Sequence, residues 1–386
     1  TVNKQEQFFH CFGCKKSGDI FDFVMSMESV SFPEAMKMLG ERCGIQVEKD
    51  PAWRRGGSGG QTRTGDKARL FKILEAASLF YERNLQSAVG AKARQYLTNR
   101  HFPPDAFHVF RLGFATDTWR GLLEALTKQR VQVRDLQRAG LAKQGRSGSP
   151  YDLFRNRLMI PIFDTQGSVV GFGGRVLDDS EPKYINSPET EIFQKNRLRY
   201  RPNRARRAIT QERMAVVVEG YTDVLMAHHR GVNSAVATLG TALTQEHARV
   251  LRRMADRILL LFDGDNAGTL AAERGIEILL ANDLDVVVVP LEKGTDPCDF
   301  FRGNDADSFQ RFTAENGQDF FDFSLGNLTE RHDIRTPGGR AKIAREMFRL
   351  VAALGDPIRQ DLVLHRTAEA LDIREELLRR EFLKSR

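Results

Sequence analysis

The sequence predicts an α/β protein, α+β overall, whose centre is a parallel sheet flanked by helices. Four apolar runs alternate with helical patterns between residues 214 and 301. The runs are MAVVV at 214–218, SAVATL at 234–239, RILLLF at 257–262 and DVVVVPL at 285–291. Each run is continuously apolar over strand length, as a strand buried on both faces of a sheet requires, and the intervals are long enough for crossover helices.

Acidic side chains follow three of the four predicted strands. Glu219 follows the first run, Asp263 and Asp265 follow the third, and Asp296 and Asp299 follow the fourth. Ligands of open α/β sheets bind beyond the carboxyl ends of the strands, so we expect these acids to converge in one crevice. Because converging carboxylates repel one another unless a cation lies between them, the pattern favours a Mg²⁺ site.

Composition limits the class of protein. The chain has 386 residues and is 41% apolar, but no run approaches the ~20 apolar residues of a membrane span. Its formal charge of +7 and its pI of about 9.3 favour a polyanionic partner. The sequence does not open with a signal segment, and its four cysteines do not resemble a secreted disulfide framework. We therefore expect a cytoplasmic protein that does not contact a membrane.

Residues 1–47 begin with half of a zinc-ribbon pattern. Cys11 and Cys14 form a CxxC that presents two thiolates, whereas a structural zinc ion takes four ligands. We expect the missing ligands upstream of Thr1 and zinc only if they are present; a redox or accidental CxxC is the alternative. Helical patterns follow the CxxC. Residues 48–66 are rich in Gly, Ser and Arg, which predicts a flexible linker.

Residues 67–212 predict a mixed α/β subdomain with a basic surface. Two strand-like runs flank an Asp-Thr-Gln-Gly turn, and the second ends in GFGGR, where Arg175 offers bidentate donors to phosphate. Basic and aromatic residues alternate over 181–209. Such a mixture suits a single nucleic-acid strand, because cations follow phosphates and rings stack on bases; a solvated basic face is the alternative. The sheet domain is expected over 213–303 and a small helical bundle over 304–386.

Together the motifs resemble those of one family, the bacterial DnaG-type DNA primases. FFHCFGCKKSGDIFDFVM is similar to the second half of the family's zinc-binding domain. YDLFRNRLMIPIFDTQGSVVGFGGRVL and PKYINSPET are similar to the amino-terminal half of its polymerase core. The segments VVVEGYTDVLMA, ATLGTALT, LLLFDGDNAG and TDPCDFF are similar to its TOPRIM half, a fold shared with topoisomerases and some nucleases.

The resemblance implies a DNA-directed RNA polymerase that makes short RNA primers on single-stranded DNA by two-metal nucleotidyl transfer. It implies ribonucleoside triphosphates as substrates, Mg²⁺ or Mn²⁺ as cofactor, a monomer, and the replicative helicase as a partner of the full-length protein. We expect the zinc-binding domain to be truncated and the helicase-contacting domain to be absent. A TOPRIM nuclease and a non-catalytic module that binds single-stranded DNA are the alternatives.

The resemblance also implies roles for individual residues. Glu219, Asp263 and Asp265 are the expected catalytic residues and, with Asp296 and Asp299, the expected Mg²⁺ ligands. The expected contacts to nucleic acid and nucleotides are Arg157, Arg175, Lys183, Tyr184, Asn186, Lys195 and Arg197.

One position departs from the family pattern. The family usually has DPD where this chain has DPC, so Cys298 replaces an acid. If the centre is therefore one carboxylate short, we expect activity to depend on Asp299.

Overall fold

A computed structural model describes residues 1–3, 7–10, 17–28, 32–43, 61–146, 148–164, 166–178, 180–193, 202–238 and 242–385. The chain divides into two compact units, Thr1–Gly65 and Asp66–Arg386. Among the described residues of the first unit, a small antiparallel sheet precedes two helices. These elements are β1 (Val2–Asn3), β2 (Phe8–His10), β3 (Ser17–Gly18), α1 (Ile20–Glu28) and α2 (Phe32–Cys43). Cys11 and Cys14 lie outside the described residues.

The long helix α3 (Gln61–Gln86) begins inside the stretch predicted to be a linker. The structure therefore differs from that prediction over 61–66, whereas 48–60 lie outside the described residues. Leu70 and Leu74 are buried one turn apart in the core that the helix covers. Packing of this apolar face stabilises the whole helix. The helix can therefore include threonine and glycine near its start, although their helix propensity is low.

The first half of the second unit contains a four-stranded antiparallel sheet of described strands in the order β4-β7-β8-β9. Its strands are β4 (Gly113–Ala115), β7 (Arg157–Phe163), β8 (Val169–Val176) and β9 (Tyr184–Asn186). The short pair β5 (Ala142–Gln144) and β6 (Pro150–Asp152) lies between β4 and β7 in sequence. The accompanying helices are α4 (Ala91–Asn99), α5 (Pro104–Val109), α6 (Gly121–Lys128) and α7 (Val133–Arg138).

This antiparallel sheet is buried on both faces. Leu158 and Ile160 of β7 belong to one hydrophobic core, and Met159 and Phe163 belong to another on the opposite face. Alternation of side chains along a strand produces this division. The turn between β7 and β8 is the predicted hairpin, in which the Asp164 amide donates to the Ser168 carbonyl at 2.9 Å.

The second half of the unit contains the predicted parallel sheet, in the order β11-β10-β12-β13-β14 among the described strands. Its parallel strands are β10 (Met214–Val218), β11 (Ala235–Ala237), β12 (Arg257–Leu260) and β13 (Asp285–Val288). The antiparallel edge strand β14 (Gln318–Asp319) was not predicted, because two polar residues carry no strand pattern and pair only through backbone hydrogen bonds.

Helices cover both faces of the parallel sheet. The helices that follow or precede its strands are α8 (Pro202–Glu212), α9 (Tyr221–His229), α10 (Gln245–Arg252), α11 (Asn266–Leu280), α12 (Pro297–Gly303) and α13 (Ala306–Asn316). The predicted carboxyl-terminal bundle is α14 (Phe320–Arg331), α15 (Pro337–Ala353), α16 (Pro357–Leu371) and α17 (Glu375–Ser385). Ile343 and Met347 of α15 share one core with Ile258 of the sheet. Among the described residues, no helix is long and apolar enough to cross a membrane.

Candidate metal centre and nucleic-acid surface

The acidic residues after the parallel strands meet at the carboxyl edge of the sheet. Glu219 follows β10, and its Oε1 accepts a hydrogen bond from the Asp263 amide, which follows β12, at 3.4 Å. Asp265 begins α11, and its Oδ1 accepts from the Gly268 amide at 2.7 Å. Asp296 begins α12 after β13. Side-chain caps of this kind hold a carboxylate at the start of a helix in one orientation.

Gly264 joins the loops that carry these acids. Its amide donates to the Thr295 carbonyl at 2.9 Å, and its carbonyl accepts from the Gly294 amide at 3.0 Å. A Cβ at residue 264 would lie 2.2 Å from the Glu292 carbonyl oxygen, a distance that no side chain tolerates. The glycine between Asp263 and Asp265 therefore permits the close contact that brings the third and fourth strand ends together.

Burial and mutual repulsion raise the pKa values of these acids. Burial, followed by the charges of Glu219, Asp296 and Asp265, raises the pKa of Asp263 to about 6. The pKa of Glu219 is also raised, by burial and then by Asp265, against a hydrogen bond from the Asp263 amide. Carboxylates that destabilise one another in this way favour a bound cation.

Asp223 is an acid of this centre that the sequence analysis did not select. It lies in the first turn of α9, is only 6% exposed and accepts a hydrogen bond from the Gly220 amide at 2.8 Å. Burial, together with the charges of Asp296, Asp263 and Glu219, raises its pKa to about 7 against the hydrogen bond from Gly220, which lowers it. The available signal was the spacing in EGYTD, which puts Asp223 one helical turn beyond Glu219, next to the same strand end.

Cys298 lies beside two acids of the centre, Asp223 and Asp296. One potential ligand atom from each of Asp223, Asp296 and Cys298 lies within 4.8 Å of the other two. The thiol is 1% exposed, and burial, followed by the charges of Asp223 and Asp296, raises its pKa to about 12. A hydrogen bond and the charge from Arg100 act in the opposite direction. Without a cation the thiol is therefore neutral.

Asp299 is placed differently from the other predicted ligands. Its side chain is paired with Arg302 on the next turn of α12, and its amide donates to the Asp296 carboxylate at 2.6 Å. Among the described residues, it does not belong to the cluster formed by Asp223, Asp296 and Cys298. The structure thus brings Glu219, Asp263 and Asp296 together and gives Asp299 a cationic partner of its own.

The donor set fits divalent cations. Carboxylates from three strand ends converge, and burial and then the neighbouring acids raise the pKa values of Asp263 and Asp223. Among the described residues, Asp223, Asp296 and Cys298 have ligand atoms within 4.8 Å of one another and would hold a cation, and Glu219, Asp263 and Asp265 are coupled to this group through their charges.

The predicted basic residues differ in accessibility. Arg175 is 7% exposed; its guanidinium lies 4.7 Å from the Tyr96 ring centroid, and its Nε donates to the Tyr184 hydroxyl at 3.0 Å. Arg157 is 6% exposed, and its Nη1 donates to the carbonyls of Gly174 and Lys183 at 3.3 and 3.4 Å. Both arginines are therefore buried side chains whose contacts stabilise the antiparallel sheet.

Lys183 connects the basic surface to the acidic centre. Its side chain is exposed, and its charge lowers the pKa of Asp263 against the larger effects that raise it. Because Coulomb interactions weaken with distance, the Lys183 charge lies on the side of the acidic centre. The two other basic residues of the predicted set, Lys195 and Arg197, lie outside the described residues.

Aromatic residues join the antiparallel sheet to the helix that carries Asp223. The rings of Tyr184 and Tyr221 stack at 6.4 Å and 29°, and the Tyr221 hydroxyl donates to Asn186 Oδ1 at 2.9 Å. A Cβ at Gly173 would lie 2.7 Å from the Tyr221 ring. The glycine of GFGGR therefore makes room for an aromatic side chain of the parallel-sheet domain, a role that the phosphate interpretation of this motif did not predict.

Four family models match successive parts of the chain. A CHC2 zinc finger matches residues 1–54, the N-terminal domain of the DNA primase catalytic core matches 80–206, a Toprim-like domain matches 216–301, and the DnaB-helicase binding domain of primase matches 321–376. The parallel sheet with its acidic edge thus defines a TOPRIM protein.

Relatives and solved structures identify the family. A DNA primase from Clostridium acetobutylicum is 34% identical over 380 residues, which cover 98% of this chain and 62% of the relative. A crystal structure of a DNA primase domain from Pseudomonas aeruginosa matches with a TM-score of 0.75 and 35% identity, covering 81% of this chain and 98% of that domain. A DnaG primase catalytic domain bound to ssDNA matches with a TM-score of 0.72 and 31% identity, over 81% of this chain and 99% of that one. The chain belongs to the bacterial DnaG-type DNA primases.

Two predictions about the extent of the chain are wrong. The CHC2 match over 1–54 contradicts a truncated zinc-binding domain, and the match over 321–376 contradicts the absence of a helicase-binding domain. A single CxxC does not show by its spacing how much of the zinc-binding domain is present. Helical periodicity alone does not distinguish a helicase-binding bundle from any other helical bundle. Mg²⁺ and Zn²⁺ are therefore the cofactors that the matched domains imply in general. The chain spans less than two thirds of the length of the first curated relatives.

Proposed function

We propose that this chain synthesises short RNA primers on single-stranded DNA from ribonucleoside triphosphates, acting as a monomer. The observation that carries the proposal is the closeness of the basic surface to the acidic centre. The exposed Lys183 of the basic, aromatic sheet lies near enough to Asp263 to lower its pKa. A polymerase requires such a boundary, because it holds a nucleic-acid strand next to the cations that act on the triphosphate.

In the proposed reaction Glu219, Asp263 and Asp265 would hold the divalent cations that bind the triphosphate. When bound, these cations increase the acidity of the attacking 3′-hydroxyl and neutralise charge on the departing pyrophosphate. Gly264 keeps the two aspartates in register with the loop at Thr295. Glu219 is proposed as a ligand and not as a general base, because a carboxylate is a weak base towards an alcohol.

The basic surface is proposed to bind the template and nucleotides in two ways. Lys183 supplies an exposed charge for phosphate, and Lys195 and Arg197 extend that charge along the chain. Arg157 and Arg175 position the surface through their buried contacts with carbonyl and aromatic groups. The stacked Tyr184 and the Tyr221–Asn186 hydrogen bond keep this surface in register with α9.

The partners follow from the matched domains. We propose that residues 321–376 bind the replicative helicase, as the name of the matching family describes. We also propose that residues 1–54 bind Zn²⁺ with Cys11 and Cys14 among the ligands.

One assay tests the proposed activity. Purified protein is incubated with single-stranded template, labelled ribonucleotides and Mg²⁺ or Mn²⁺, and the products are separated by length. Short RNA is expected; cut DNA would instead establish a TOPRIM nuclease, and binding with neither product would establish a non-catalytic module. Asp263→Ala should abolish RNA synthesis while single-stranded DNA binding persists, whereas Asp307→Ala, at an exposed acid of α13, should leave both unchanged. Loss of binding together with synthesis in Asp263→Ala would contradict the ligand role.

A further inference from the structure

We infer that Asp223, Asp296 and Cys298 form a mixed oxygen and sulfur site within the acidic centre, which prefers a thiophilic divalent cation such as Zn²⁺ or Cd²⁺ to Mg²⁺. The inference rests on the proposed function, because it concerns the same metal centre. It goes beyond that function by assigning Cys298 a role as a metal ligand and by changing the class of cation.

The three donors are close enough to bind one ion. One ligand atom from each residue lies within 4.8 Å of the other two. Ligands about 2.0–2.3 Å from a tetrahedral ion lie roughly 3.3–3.8 Å from one another, so side-chain rotation by about 1 Å closes the site. Three protein ligands leave a fourth position for water or a phosphate oxygen, the arrangement found in catalytic zinc sites.

The backbone already orients both carboxylates. The Gly220 amide donates to Oδ2 of Asp223 at 2.8 Å, and the Asp299 amide donates to Oδ1 of Asp296 at 2.6 Å. Hydrogen bonds of this kind direct a ligand towards a metal and tune its basicity. Pro297 restricts the first turn of α12, which holds Cys298 two residues after Asp296. The donors are therefore positioned by elements that need not refold when an ion binds.

The identity of the donors determines the class of ion. Carboxylates suit Mg²⁺, but a thiolate is a soft ligand that selects Zn²⁺ and similar ions. Cys298 and Asp223 are 1% and 6% exposed, so little water is available to complete the octahedral shell that Mg²⁺ demands. When an ion binds, the thiol proton passes to solvent and the thiolate sulfur becomes the ligand, beside the Arg100 side chain.

Spectroscopy and stability measurements test the inference on the full chain. Cd²⁺ is titrated into the wild-type protein, into Cys298→Ser and into Cys43→Ser, which replaces an exposed thiol. Thiolates of the zinc-finger region contribute equally to the first two spectra and cancel in their difference. We expect an ultraviolet thiolate-to-Cd²⁺ charge-transfer band in that difference, an unchanged band in Cys43→Ser, and Cd²⁺ binding about tenfold or more weaker in Cys298→Ser. Identical spectra for wild type and Cys298→Ser would overturn the inference.

A second variant tests the inference even if Cys298→Ser does not fold. Cys298→Asp restores the family's acid, so Mg²⁺ should raise its thermal midpoint by more than it raises that of the wild type, and Cd²⁺ should raise it by less. Equal responses of the two proteins to both ions would also overturn the inference. Primer synthesis is measured separately. RNA synthesis without the charge-transfer band would contradict only this inference. The band without RNA synthesis would contradict only the proposed polymerase activity.

Discussion

The acidic centre and the basic surface differ in whether their charged side chains have partners within the protein. In the centre, burial and then the charges of neighbouring acids raise the pKa of Asp263 to about 6 and that of Asp223 to about 7. On the basic surface, Arg175 and Arg157 are buried against aromatic rings and carbonyl groups that accept their hydrogen bonds. The acids thus remain uncompensated and available for cations, whereas most of the arginine charge already has a protein partner.

Charged residues in similar sequence surroundings therefore have different roles. An acid that other acids destabilise binds a cation, since folding leaves its charge without a partner. A buried arginine with internal partners positions its neighbours instead. Lys183, being exposed, is the described residue of the predicted basic set with which we test direct contact to nucleic acid.

The largest effect is expected when one acid of the centre is neutralised. Asp263→Asn removes a negative charge but keeps the side-chain shape, so primer synthesis should fall by about a hundredfold or more. The same change relieves repulsion with Glu219 and Asp296, so the metal-free variant should melt at a higher temperature than the metal-free wild type. Calorimetry in a chelator measures this difference. A lower midpoint would contradict the account of uncompensated acids.

Gly264→Ala tests whether the acidic loops depend on their close contact. The added Cβ meets the Glu292 carbonyl oxygen at 2.2 Å, so we expect a loss of about 1–3 kcal/mol in the free energy of unfolding. Urea denaturation measures the loss. Gly326→Ala is the matched control, because no atom lies within 4 Å of its added Cβ and alanine favours the helix α14. Equal stability of the two variants would contradict the proposed role of Gly264.

Tyr221→Phe tests the connection between the two halves of the second unit. The change removes the hydroxyl that donates to Asn186 at 2.9 Å but keeps the ring against Gly173. The expected loss is about 0.5–1.5 kcal/mol in stability, with weaker primer synthesis and unchanged metal binding. Denaturation and Mn²⁺ titration measure the two quantities. Wild-type stability and synthesis would show that the hydrogen bond does not contribute.

Lys183→Ala tests the exposed charge of the basic surface. Loss of one phosphate contact should weaken binding of single-stranded DNA and reduce the slope of log affinity against log salt concentration by about 0.7. Fluorescence anisotropy at several salt concentrations measures the slope. Lys342→Ala, at an exposed lysine of α15, is the control and should keep the wild-type slope. The same slope in both variants would place the DNA elsewhere.

The smallest effect is expected at Asp299. Its carboxylate pairs with Arg302 at a partly exposed site, and such pairs contribute about 0–1 kcal/mol. Asp299→Ala should therefore change metal affinity much less than Asp296→Ala, which removes a member of the buried cluster. Isothermal titration with Mn²⁺ compares the two variants. A larger loss in Asp299→Ala would restore Asp299 as the compensating ligand that the sequence analysis considered.

The sequence by itself determined the parallel sheet and the edge at which its acids gather. Continuous apolar runs specify strands buried on both faces, and parallel strands place their carboxyl ends on one side, so Glu219, Asp263 and Asp296 could be grouped from their order alone. The hairpin between β7 and β8 was equally predictable from its turn residues.

Tertiary structure alone decided how each charge is compensated. Whether Arg175 faces solvent or a tyrosine ring, and whether Asp299 faces a cation or Arg302, depends on residues far away in sequence or on a rotamer that periodicity does not encode. Burial of Cys298 beside Asp223 likewise results from packing of α12 near α9. Local pattern determines which elements form, because it acts through neighbouring residues. The partner of a buried charge is determined by long-range packing, because desolvation and Coulomb energies depend on every group nearby.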